Sequence, residues 1–207
     1  MTDTMDSDHI AAILSFWFGP IADGDVVDGS KREMWFNGTP ALDAEITNNF
    51  LGVYEDALAG SCSQWQHTAQ GSLALVVLLD QFPLNMFRRS ARAFESEHAA
   101  VAACEHAIEH GQDTELAFVE RTFLYMPLMH AESTQHQAAS VRHYSALVDA
   151  VPTNLREPAE RTLSFAKSHS DIVSQFGRFP HRNKVLGRES RPEEIAFLDD
   201  NPASYGQ

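Results

Sequence analysis

The chain of 207 residues carries a formal net charge of −14, with 43% hydrophobic and 21% charged residues. That balance suits a globular protein with one buried core, so a single domain over residues 1–207 is expected. It argues against partners that need a basic footprint, nucleic acid and anionic membrane surfaces among them.

Two cysteines occur, Cys62 and Cys104, far apart and in no C-x-x-C pattern. That usage fits a reducing compartment and offers neither a zinc nor a redox signature, so no metal and no cofactor is expected. The stretch MTDTMDSDHIAAILSFWFG opens on acids without a basic n-region, and the longest apolar run, residues 73–79, is far too short to span a bilayer. The expectation is a soluble, cytoplasmic protein.

In chain order the periodicity is helical almost throughout. Ile10, Ile13, Leu14, Trp17 and Phe18 keep an i, i+3, i+4, i+7, i+8 stripe, with Ser7 and Asp8 as candidate caps and Gly19-Pro20 as the stop. ADGDVVDGS reads as a polar loop. Thr39 then caps a helix with Pro40 at its first position, Leu42, Ile46, Phe50, Tyr54 and Leu58 as its stripe, and Gly60 at its end. QGSLALVVLLDQF is apolar nearly all round, as a central buried helix is, and Pro83 is expected to close it. Ser96 can cap the next helix, which runs to Gly111. Further helices are expected at 115–126, 133–150 and 157–176, the last ended by Gly177; the capping-box spacing of SRPE, Ser190 to Glu193, opens a short final one. No stretch alternates apolar and polar between hairpin turns. The reading is therefore all-α with essentially no sheet: seven or eight helices in antiparallel pairs. The first few residues, the acidic loop around 22–30 and the tail after Asp199 are the expected mobile parts.

Three helix ends share a design. In LDQFPLNMFRRSARAF, RTFLYMPLMHAES and FGRFPHRNKVLGRES, a run of large apolar groups meets a proline (Pro83, Pro127, Pro180) followed by amide, imidazole or guanidinium side chains. A proline interrupts the helical ladder, and the carbonyls it frees need donors if buried. Asn85, Arg88, His130, Arg182 and Asn183 are candidates for that structural task. Their number suggests more. Residues 88–92 and 178–191 hold eight of the fifteen Lys and Arg residues, with Glu189 as the only acid. A cleft that receives an anion uses such charge, because arginine presents a bidentate fork to carboxylate or phosphate. If the three breaks converge, Asp80, His130, Glu132 and His181 add acid–base groups to the same place.

These motifs, together with ILSFWFG and MWFNGTPALDAEITNNF, resemble nearly end to end a bacterial family known as domain of unknown function 924. The resemblance implies an all-α, tetratricopeptide-repeat-like array of helix pairs and no particular activity. Family members typically carry D-Q-F-x-R-N, P-L-M-H-S-E-D and F-G-R-F-P-H-R-N. Here Asp80, Gln81, Phe82 and Asn85 match the first, but Leu84 stands where arginine is usual. His130 and Glu132 match the second, with Ala131 and Ser133 in place of Ser and Asp. Residues 176–183 match the third throughout.

Three functions fit these residues. In a binding module, Arg88, Arg178, Arg182 and Arg188 clamp a small anionic molecule or a peptide carboxylate, oriented by Gln81, Asn85 and Asn183. In a hydrolase, Asp80 or Glu132 acts as base, His130 or His181 as acid, and an arginine stabilises developing charge. In a structural or interaction protein the motifs only hold helices together, and Trp17, Phe18, Trp35 and Phe36 pack between them. HAIEH, His106 to His110, has the H-x-x-E-H spacing of a zinc site, but it lies on a face that reads as solvated and outside the three motifs, so no metal is assigned.

Overall fold

The structure, a computed structural model, describes residues 2–21, 27–36 and 38–201. These form nine helices and no strand. They are α1 (Thr2–Phe18), α2 (Gly29–Phe36), α3 (Pro40–Leu58), α4 (residues 69–86), α5 (Glu97–Glu109), α6 (residues 118–130), α7 (Thr134–Ala150), α8 (Thr153–Phe176) and α9 (Pro192–Asp200), joined by short 3₁₀ turns. The ninth, beyond the expected seven or eight, is α2. It buries none of its residues, so no apolar stripe announces it. Most of the acidic loop (22–26), residue 1 and the tail from 202 lie outside the described residues. No described helix is long and apolar enough to cross a membrane.

Helix α4 is the axis of the core. Leu73 through Leu79 are at most 4% exposed, and α1, α3 and α5 pack around them. Full burial of each such side chain contributes roughly 1.5–3 kcal/mol. Tyr54, Trp65, Phe82 and Tyr144 fill the spaces between helices, and Trp17, Phe82 and Phe123 meet edge to face. Helices α7 and α8 form the most extensive helix pair. A second, smaller cluster joins Ile172, Val173, Phe176 and Phe179 to Phe197 of α9.

Several helix ends are chemically explicit. Thr39 accepts the Leu42 N–H, Ser133 accepts the His136 N–H, and Gly111 and Gly177 take left-handed backbone at φ 70° and 72° after α5 and α8. Other ends differ from expectation. Helix α1 begins at Thr2 rather than after Asp8. Helix α9 starts one residue later than the SRPE reading, with Glu194 rather than Glu193 accepting the Arg191 N–H at 2.8 Å. Pro83 does not close α4. A π turn over Val77–Gln81, in which the Phe82 N–H reaches back to the Val77 carbonyl, carries the helix past it to Met86. The carbonyl that Pro83 leaves without a ladder partner is that of Leu79, and the Ser96 hydroxyl donates to it at 2.6 Å.

Candidate functional site

The π turn decides where the site forms. By adding one residue to a turn of α4 it places Asp80 and Gln81 in the last turns of the core helix, both less than a tenth exposed. The Gln81 amide donates to Asp80 Oδ2. Across from them α6 is broken at Tyr125, two residues before Pro127, which lacks an N–H, and the Tyr144 hydroxyl donates at 2.6 Å to the Thr122 carbonyl in the turn before the break. Beyond the break, the last turn of α6 presents His130. Its Nδ1 stands 2.9 and 3.0 Å from the two oxygens of Asp80, so Nδ1–H donates to the carboxylate and Nε2 is left as the other ring nitrogen.

The third break supplies the opposite wall. After Gly177 the chain makes a 3₁₀ turn, Pro180–Arg182, which brings His181 and Arg182 over His130. Asp80, His130, His181 and Arg182 line one cavity of about 50 Å³ together with Leu79, Leu84, Ala93, Phe94, Glu97 and His169. Arg182 is 7% exposed. Its Nη1 donates to Glu97 at 2.7 Å, its Nη2 donates to the His130 carbonyl at 2.9 Å, and its guanidinium lies 4.6 Å from the ring centres of Phe94 and Phe179. It therefore fixes the main chain of His130 as a strut would. Burial, reinforced by the Arg182 charge, holds the His181 imidazole down to about 3. Burial and the neighbouring His130 hold His169 down to about 4.

The remaining motif residues sit elsewhere. Arg88 grips Asp43 of α3 with two bonds of 2.8 Å and takes Asn85 Oδ1 at 3.0 Å, so both side chains are turned away from the cavity. Arg178 makes a fork to Glu194 at 2.7 and 2.8 Å and also donates to the Glu189 carbonyl. Arg188 pairs with Glu132 at 2.5 and 2.9 Å and donates to the Phe179 carbonyl. Asn183 bonds Ser190 and Glu194 and is 1% exposed. Glu132 also accepts the Phe179 N–H at 2.7 Å. Burial pushes its carboxyl up, but Arg188 and that N–H more than offset this and hold it below the usual range. The Arg178 and Arg191 guanidiniums hold the Glu194 carboxyl far below that range.

A common pattern runs through residues 178–191. Arg178, Arg182, Arg188 and Arg191 each tie carboxylate to main-chain carbonyl, Arg191 reaching both Glu193 and Glu194. The positive charge that stands out in the sequence is matched here by acids of the same chain.

Two cavity residues carry no signal in the motifs. Glu97 opens α5 and His169 lies within α8. His169 stands three, four and seven residues before Ile172, Val173 and Phe176, so an imidazole on the buried stripe of α8 was the available clue. At HAIEH, His106 and His110 stack at 4.0 Å and bond main-chain carbonyls, and no group of three His, Cys, Asp or Glu among the described residues is placed to hold a metal ion.

A protein of unknown function from Agrobacterium tumefaciens has a similar solved structure, with 31% sequence identity, a TM-score of 0.78, and alignment over 97% of this chain and 100% of that one. No curated protein matches the sequence. The sequence matches the family described as bacterial protein of unknown function (DUF924) over residues 13–202, which include all three proline-centred breaks. The chain is a member of that family.

Proposed function

We propose that the cavity at Asp80 and His130 is the working site and that its chemistry is proton transfer in the hydrolysis of a small substrate. The observation that carries this is the buried Asp80 carboxylate, its side chain 5% exposed, held against Nδ1 of a His130 that faces a cavity. A carboxylate behind an imidazole fixes the tautomer and stabilises the imidazolium that forms when Nε2 takes a proton. In such a reaction Nε2 removes a proton from water as the water oxygen bonds to the electrophilic carbon of an ester or amide. The imidazolium then returns that proton to the leaving group as its bond to carbon breaks. Asp80 stays anionic, Gln81 holds it, and Arg182 positions His130 without touching substrate. The anion-clamp alternative has less support, because the guanidiniums of Arg88, Arg178, Arg182 and Arg188 already bind carboxylates of the chain.

The test is a panel of small chromogenic esters and amides assayed with the intact protein, His130→Gln and Asp80→Asn. Each substitution is expected to lower kcat/KM by about 100-fold or more. Hydrolysis that survives both substitutions, or none across the panel with the intact protein, would remove the proposal.

A further inference from the structure

The lining of the same cavity also bears on what enters it. Its charged groups are Asp80, Glu97 and Arg182. Arg182 has little to offer a ligand: Glu97 and the His130 carbonyl occupy two of its edges, and aromatic rings lie against its guanidinium. Glu97 balances its charge. Asp80 then leaves the cavity with one net negative charge when His130 is neutral and with none when it is protonated. The other two imidazoles, His169 and His181, are uncharged near neutral pH.

The hydrogen-bonding capacity left at His130 and Glu97 is acceptor capacity. His130 commits Nδ1–H to Asp80, which makes Nε2 of the neutral ring an acceptor. Arg182 engages Oε2 of Glu97, leaving Oε1 as a second acceptor on the same lining. Leu79, Leu84, Ala93 and Phe94 complete the wall with apolar surface. A carboxylate or phosphate entering here meets two carboxylates and no uncommitted cation. A group that brings N–H donors and positive charge meets complementary partners, and the net charge of −14 draws it in from a distance.

We infer that the cavity takes a small primary ammonium group rather than an anion, so that the substrate class is an amino-bearing ester or amide. This rests on the assignment of the cavity as the working site. The ammonium donates to Glu97, and Nε2 of neutral His130 stays open to take a proton from water.

The experiment is NMR of the full chain with labelled histidine at fixed ionic strength, titrated separately with methylammonium, acetate and inorganic phosphate. Methylammonium is expected to shift the His130 ring signals saturably, with acetate and phosphate silent. Glu97→Gln keeps an acceptor for Arg182 but removes the charge, and is expected to weaken methylammonium about tenfold. Leu84→Arg adds a cation to the wall and is expected to abolish methylammonium binding. Saturable acetate or phosphate shifts with methylammonium silent would overturn the ammonium inference and leave the cavity as the site. Silence of all three probes would overturn the inference and the site assignment together. Unchanged methylammonium binding in both variants would place the probe outside this cavity and overturn the inference as well.

Discussion

Acidification should unfold this protein through two imidazoles before it touches the carboxylates. His169 and His181 are held down to about 4 and about 3 in the folded chain, against 6.5 for an exposed histidine. The unfolded chain therefore binds protons that the folded chain refuses. The contribution is fully present above pH 6.5 and is lost as pH falls through the window from 6.5 toward 4. At pH 5 each histidine costs about 2 kcal/mol, or about 4 kcal/mol together, a large part of the 5–15 kcal/mol typical of a domain. His143, also lowered by burial, acts in the same direction. Glu132 and Glu194 are lowered from 4.5, so their contributions fade only at more acid pH. Urea titrations at pH 7.5, 6 and 5 isolate the histidines. The intact protein should lose about 4 kcal/mol across that range, and His181→Gln should lose about half as much. Equal stability at pH 7.5 and 5, or an undiminished loss in His181→Gln, would refute the reasoning.

Three further outcomes test the packing around the site. Ser96→Ala strands the buried Leu79 carbonyl beneath the π turn and should cost about 1–3 kcal/mol in urea denaturation. Arg188→Ala leaves Glu132 half-buried without its partner; it should cost about 2–3 kcal/mol, and a double-mutant cycle with Glu132→Gln should recover part of that as coupling. Gly71→Ala drives a Cβ into the Trp65 carbonyl and should cost about 2–3 kcal/mol, whereas Gly52→Ala, on an open face of α3, should raise stability by about 0.5–1 kcal/mol, both read from thermal melts.

Helix identity was legible because the apolar stripes of α1 and α3 keep the 3.6-residue period and their neighbours carry ordinary caps and stops. What the local pattern concealed was the continuation of α4 past Pro83, since the freed Leu79 carbonyl is met by a hydroxyl fifteen residues beyond Gln81, at Ser96. The meeting of Asp80, His130 and His181 could be framed from the three proline breaks but not placed, because chain separation carries no distance. The partners of the arginines stayed hidden for a physical reason. Composition counts charges, and only the fold reveals that Asp43, Glu97, Glu132 and Glu194, scattered along 150 residues, come to stand opposite them. Glu97 and His169 had no motif to mark them.

The Arg182–Glu97 bridge joins residues 85 positions apart, and it closes the cavity from the chain's final quarter. During synthesis the large aromatic and aliphatic core, which ends at Ala166, is complete in the emerging chain before that closure can happen. Until residues 177–191 leave the ribosome, Asp80 and His130 lack the wall that His181 and Arg182 provide. A chain cut after α8 would keep its main core and lose one wall of the cavity. Protease removal of the segment after Gly177 should therefore open the cavity well before it unfolds the protein.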